Sequence, residues 1–299
     1  MSNWLISIAG TPTGQHLALA LALLAAILHA IFGALQKGKH DPWLSRAVID
    51  LTYGVIAAPF ALFVVPWPEP HMWPIFAGMF VIHVVYKVLQ AMCYDRGAYT
   101  VVYPVVRGTG PLFTVIGAGL VFGETYAPLQ WFGVCLLVLG ILGLAAYNLR
   151  TVTQDRDTMI PALGFAVATG ALVACYTTYD AWGIRATADP FTFLAWFFFI
   201  DGIFIPALMS RRLLQLTRST AVPLFKRGLL GAFTAYFSFG SIMLATRLDR
   251  VGEAAVLRET STVFAALIGW LILGEKVGLV RTGLMALIAL GAVVMEWAG

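Results

Sequence analysis

The sequence predicts an all-α integral membrane protein: ten transmembrane helices arranged as two inverted five-helix repeats. Three observations predict it. Of 299 residues, 60% are hydrophobic and only 11% charged, with a mean hydropathy of +0.85, against roughly 45–50% and about 25% for a soluble domain. The apolar residues fall into ten runs, each near the roughly 20 residues that cross a bilayer. The second half of the chain repeats the first.

Taken in order, the runs lie near 16–36, 43–66, 73–94, 99–122, 126–147, 161–184, 190–209, 224–246, 252–273 and 278–297. The first has no Lys or Arg between Met1 and His16 to form a basic leader, so it reads as an uncleaved helix. The second follows Asp41-Pro42 and contains Ile49-Asp50; the seventh follows Asp189-Pro190 and contains Ile200-Asp201. Asp95-Arg96 closes the third run as Asp249-Arg250 closes the eighth. The fourth, VYPVVRGTGPLFTVIGAGLVFGE from Val102, matches the ninth, AAVLRETSTVFAALIGWLILGE from Ala254, at an offset of about 151 positions. Arg107 then meets Arg258, Phe113 meets Phe264, and Gly123-Glu124 meets Gly274-Glu275. Between the fifth and sixth runs lies the polar stretch RTVTQDRDT, residues 150–158. The units are therefore 1–150 and 159–299, joined by a linker over 151–158. Five helices per unit is an odd number, so the second unit must enter the membrane from the opposite side, and such inverted repeats set a binding site near the midplane.

Connections this short leave no room for a soluble catalytic domain or a nucleic-acid module, and neither cofactor nor metal is expected. Thirteen of the nineteen Lys and Arg, Lys37, Lys39, Arg46 and Lys276 among them, fall on odd-numbered connections, and Arg185, Arg247 and Arg250 on even-numbered ones. The positive-inside rule then places odd loops in the cytoplasm and both termini outside, in an inner (plasma) membrane. Cys93, Cys135 and Cys175 share no ligand spacing and read as buried small side chains.

The remaining cations, Lys87, Arg107 and Arg258, lie inside spans, where an ionisable residue needs a partner or a polar cavity. His83, Tyr86, Lys87, Gln90 and Tyr94 share one face of the third span, opposite Val84, Val85, Val88 and Leu89. Tyr103, Arg107, Gly110, Pro111 and Thr114 do so in the fourth, and Arg258, Ser261 and Thr262 in the ninth. Arg107, Arg258, Lys87, His83, Tyr86, Tyr103 and Gln90 are thus the candidate substrate-binding residues, the guanidiniums suiting a carboxylate, phosphonate or phosphate. A second reading has Asp50, Asp201 or Glu259 neutralising the arginines for purely structural ends. Glu259, Asp50, Asp201 and His29 are the candidates for proton coupling, with Asp180 a further acid within a span. The aromatic end of the sixth span, Tyr176, Tyr179 and Trp182, fits an interfacial belt or a cavity wall.

On its two five-helix units, each with a fourth helix closing in Gly-Glu and a fifth rich in Gly and Leu, the chain resembles the EamA-type branch of the drug/metabolite transporter superfamily. The resemblance implies a secondary transporter, often an exporter of amino acids, related metabolites or toxic compounds, with a central cavity lined by both halves. PVVRGTGP and RETS are similar to a subgroup associated with phosphonate utilisation. Members commonly keep both termini in the cytoplasm, against the loop count here.

The expected function is alternating-access transport, as an exporter, of a small anionic or zwitterionic metabolite such as an amino acid or an organic or phosphonic acid. Protons are the candidate coupling ion, and the chain acts in the bilayer as a monomer or homodimer. Cationic or aromatic drug-like compounds are the alternative cargo. An intramembrane enzyme on lipid-linked substrates finds no support in motifs: there is no HExxH and no Ser or Cys beside a base.

Overall fold

A computed structural model describes residues 2–36, 41–96, 99–151, 156–271 and 278–298. With no water to satisfy the backbone inside a bilayer, apolar runs of this length must bond internally as helices. They do: α1 (Ser2–Ile8), α2 (Pro12–Gln36), α3 (Pro42–Pro59), α4 (Met72–Arg96), α5 (Tyr99–Phe122), α6 (Pro128–Thr151), α7 (Arg156–Ala186), α8 (Pro190–Asp201), α9 (Phe204–Leu208), α10 (Ser210–Leu214), α11 (Arg218–Leu248), α12 (Val251–Arg258), α13 (Ser261–Leu271) and α14 (Leu279–Trp297). No strand occurs among the described residues.

Nine helical segments among the described residues, not the expected ten, are long and apolar enough to span a membrane. The difference lies in the ninth run. Its described part is two shorter helices, α12 and α13, interrupted at Glu259 and Thr260. Gly274, Glu275 and Lys276, like Lys37 and Lys39, lie outside the described residues. The seventh run is also divided, at Gly202 between α8 and α9. α3 gives way after Pro59 to a π-helical turn, Phe60–Val64, in which Val65 N–H reaches Phe60 O at 3.0 Å.

The recurring sequence fragments have physical jobs. In both Asp-Pro pairs the aspartate caps the following helix: Asp41 Oδ1 accepts from Trp43 and Leu44 N–H at 2.9 and 3.1 Å, and Asp189 Oδ1 from Phe191 and Thr192 N–H at 2.8 and 3.4 Å. Proline occupies the first helical position, where its missing donor does no harm. Gly123, at φ +68°, ends α5 in a left-handed cap, its N–H bonded to Gly119 O at 3.1 Å. Glu124 then crosses to the other half and accepts from Val251 and Gly252 N–H at 2.8 and 3.2 Å, capping α12.

Contacts between the halves exchange with one another. α2 packs on α11 as α7 packs on α4, and α2 on α13 as α7 on α5. The equivalent helices α3 and α8 touch each other, as do α6 and α14. Both pairs run antiparallel. Gln130 near the start of α6 donates to Met295 O near the end of α14, while Asn148 near the end of α6 meets Arg281 near the start of α14. Thr192, early in α8, donates to Pro66 O beyond α3. The α3–α8 crossing depends on bare backbone: a Cβ on Gly202 would fall 2.7 Å from Gly54 Cα.

Phe63 and Leu120 are more than four-fifths exposed, an orientation that suits lipid. Cys93 is buried, its Sγ 3.6 Å from Ala162 O, whereas Cys135 and Cys175 are exposed, against the expectation of three buried thiols. An apolar solvent outside the bundle offers these small side chains no reason to turn inward.

Candidate functional site

Between the halves lies a chamber with about 80 Å³ of room for water, open in part to solvent. His83, Tyr86 and Gln90 from α4 reach its wall, with Tyr103 and Arg107 from α5, Asp201 from α8 and Arg258 from α12. His29 of α2 joins them, its ring 6.2 Å from Phe32. The polar stripe of α4 thus turns inward, and Gln90 spends one amide proton on Tyr86 OH at 2.7 Å. Tyr94's side chain is outside the described part. Thr114 is buried away from the wall, its hydroxyl donating to Gly110 O at 2.9 Å; Ser261 and Thr262 are likewise buried but not on the wall.

Charge in the site divides into two clusters. In the first, Lys87 Nζ binds Asp50 Oδ2 at 2.7 Å and Asp201 Oδ1 at 2.8 Å, and also donates to Asp201 O and Tyr53 OH at 2.9 and 3.2 Å. Arg46 Nε stands 2.7 Å from the other oxygen of Asp50, and Tyr53 OH donates to Asp201 Oδ2 at 2.5 Å. His83 sits between acids, Nε2 at 2.9 Å from Asp180 Oδ2 and Nδ1 at 3.6 Å from Asp201 Oδ1. Contrary to the expectation from the sequence, Lys87 does not line the chamber. Acids on two other helices hold it one layer behind the wall. Asp50 is buried behind the wall with it, and neither Asp50 nor Asp201 pairs with Arg107 or Arg258.

In the second cluster Arg107 Nη2 lies 2.8 Å from Glu259 Oε1, and Arg258 Nε 3.8 Å from the same oxygen. All three are at least 96% buried. Two guanidiniums share one carboxylate, and Arg258 has no nearer acid among the described residues. Arg258 Nε and Glu259 Oε2 lack hydrogen-bond partners in the structure. Arg258 belongs also to a smaller pocket, with about 10 Å³ of room for water, alongside Asp180, Thr177, Tyr176, Phe239 and Thr246.

Sequence reasoning assigned no role in the site to Arg46, counted as a loop cation, nor to Tyr53, Phe197, Phe198 and Phe239, which complete the wall. Tyr176, left open between belt and wall, lies on the wall, 4.8 Å from Tyr86 and 4.9 Å from His83 between ring centroids. Trp182 is exposed. The only advance signal for Arg46 was its i,i+4 spacing to Asp50. The phenylalanines gave none, since an aromatic in an apolar run faces lipid or cavity equally well.

The chamber is asymmetric. Gly33, Arg46, Gln90 and Tyr103 lie within two turns of the end of α2, the start of α3, the end of α4 and the start of α5, so the hollow reaches that face, here the A face. The opposite B face is tied once across the halves, at Glu124, and otherwise within the second half, between α7 and α11. Glu124 caps α12, Arg185 of α7 donates to Thr246 O and Asp249 O at 2.8 and 2.7 Å, and Arg247 of α11 bonds Ile184 O.

The chain matches the family model of the EamA-like transporter family twice, over residues 16–146 and 160–297. It is similar to the uncharacterized protein y4nH of Sinorhizobium fredii (strain NBRC 101917 / NGR234), 33% identical over 77 residues that make up 26% of this chain. The matched stretch spans 66% of that relative, just under two thirds of its length. A solved structure, described only as "Crystal structure of protein", superimposes with a TM-score of 0.73 at 18% identity, over 93% of this chain and 97% of that one. At that identity the two share a fold.

Proposed function

Since the chain belongs to the EamA-like transporter family, we propose that it is a secondary transporter moving a small anionic or zwitterionic metabolite by alternating access. The carrying observation is the second cluster: two buried guanidiniums at the chamber wall with one carboxylate between them. A surplus cation in low dielectric is costly alone and is relieved by an entering carboxylate or phosphonate, which the planar fork of Arg258 suits. The antiparallel packing of equivalent helices supports reading the ten runs as inverted repeats that rock about this site. The hollow reaches the A face, where most loop cations lie, which supports loading from the cytoplasm and hence export. A proton is the coupling ion in this reading.

A thermal-shift panel in detergent tests it, with benzoate, amino acids, 2-aminoethylphosphonate and tetraphenylphosphonium. A ligand at a hundredfold its Kd adds about 2.7 kcal/mol to the folded state. Acids raise the melting temperature of the wild type, and Arg258→Ala removes that rise. Stabilisation restricted to tetraphenylphosphonium overturns the anion assignment in favour of cationic, drug-like cargo. Flux of the stabilising acid in proteoliposomes then separates transport from binding alone.

A further inference from the structure

We propose that His83, wedged between Asp180 and Asp201, is the residue that binds the coupling proton, and that its pairing with Asp180 links the chamber to the small pocket beyond. The inference rests on the transporter reading, which gives a bound proton something to couple to. Both imidazole nitrogens face carboxylate oxygens, at 2.9 and 3.6 Å. A neutral imidazole has one N–H and one lone pair, so one nitrogen would turn a lone pair toward a carboxylate; an imidazolium donates to Asp180 and turns its second N–H toward Asp201, an electrostatic contact longer than a hydrogen bond.

The groups around His83 single it out. On its own helix stand Tyr86 and Lys87, the latter committed to Asp50 and Asp201. From α3 come Tyr53, bonded to Asp201, and the Arg46–Asp50 pair. α7 contributes Asp180 and Tyr176, α8 Asp201, and α11 only Phe239, against the ring. Arg258 of α12 lies across the small pocket. Asp50, Asp201 and Glu259 are each paired with a Lys or Arg. Among the described residues Asp180 has His83 alone within ion-pair distance, so this is the buried pair whose cation can itself come and go.

Access completes the argument. His83 lines the chamber that reaches the A face. Asp180 lines the small pocket with Thr246, two residues from the end of α11 and therefore toward the B face, and its Oδ1 has no hydrogen-bond partner in the structure. The pair spans the partition between the two hollows. A proton taken up past Asp180 from the B side is released from His83 into the chamber once the halves have rocked, the inward step that drives export.

The experiment needs no substrate. Proteoliposomes on a capacitive sensor receive a pH step across the range in which histidine titrates, and the displaced charge is recorded. Wild type gives a transient; His83→Gln loses it, and His71→Gln, at an exposed histidine outside the chamber, keeps it, each variant first shown to elute as a single species. Should His83→Gln not fold, Asp180→Asn serves: its transient persists with a displaced pH midpoint, because the charge facing Nε2 is gone. A transient that survives His83→Gln, an unmoved midpoint in Asp180→Asn, or no transient in wild type overturns the proton site. None of these touches the anion reading, which stands or falls on the acid panel.

Discussion

Replacing Lys87 by Met keeps most of the side-chain volume and removes one charge from the first cluster. Asp50 then retains Arg46 at 2.7 Å, but Asp201 is left with Tyr53 and the 3.6 Å contact to His83. Breaking a buried pair by removing one partner costs about 3–5 kcal/mol. At roughly 2–4 °C per kcal/mol, the melting temperature in detergent falls by on the order of 10 °C. The paired control is Lys87→Met with Asp201→Asn, which removes the orphaned charge as well. Contacting residues couple by about 0.5–3 kcal/mol, so the double variant melts above the Lys87→Met single. Melting followed by tryptophan fluorescence reads both. A single variant within about 1 °C of wild type, a small fraction of the predicted penalty, refutes the view that this ammonium holds the two halves' equivalent aspartates together; so does a double variant that loses the sum of the two singles.

Three other outcomes follow from particular contacts. Glu124→Gln removes the carboxylate that caps α12, an interaction of about 1–2 kcal/mol; a membrane-impermeant maleimide then labels Thr246→Cys about tenfold faster than with Glu124 intact, and an unchanged rate shows that the B face is closed by something else. Gly202→Leu drives a side chain into the Gly54 backbone and yields protein that fails to elute as a folded species, whereas tolerance would mean that the α3–α8 crossing is looser than described. Asp41 is partly exposed; what burial it has pushes its carboxyl up, but the Leu44 and Trp43 N–H groups and the Arg212 guanidinium outweigh that and hold it below the usual aspartate value. A depressed carboxyl contributes stability that is complete above the unfolded value and is lost as pH falls through the folded one. Asp41→Asn, which keeps the cap, therefore flattens the fall in melting temperature below about pH 4, and an equally steep fall in the variant contradicts it.

What could be read from the chain was whatever is local or repeated. The Asp-Pro caps, the Gly123 helix stop and the inward polar face of α4 each depend on neighbours within a turn or on a second copy. Lys87 was misread because both of its acids arrive from other helices, α3 and α8, which no spacing along α4 can reveal. Following the Asp41 cap so closely, Arg46 counts in the sequence as a loop cation, yet at the second turn of α3 its guanidinium already reaches Asp50. The interruption at Glu259 and Thr260 carries no Gly or Pro; residues of ordinary helix propensity end α12 there, so the cause is tertiary.

The surplus positive charge at the arginine cluster has a steric origin. Arg107 and Arg258 are equivalent, but the residue after each differs: Gly108 in α5, Glu259 at the end of α12. A symmetric repeat would have two arginines and two glutamates and no charge to spare. Position 108 is tight for the second acid, since a Cβ there would already stand 3.1 Å from Ile141 Cγ2 and 3.3 Å from Leu142 Cδ2 on α6. Glu259 instead faces Arg107 across the halves at 2.8 Å. One carboxylate must serve two guanidiniums because α5 packs its own turn against α6, and the charge left over is what the proposed site offers an anion. Gly108→Ala tests the steric half of this: overpacking of this kind costs about 1–3 kcal/mol, seen as a lower melting temperature with the acid-induced rise retained. Loss of the rise with an unchanged melting temperature would show instead that Gly108 acts on the ligand directly, and that the asymmetry is not a consequence of packing.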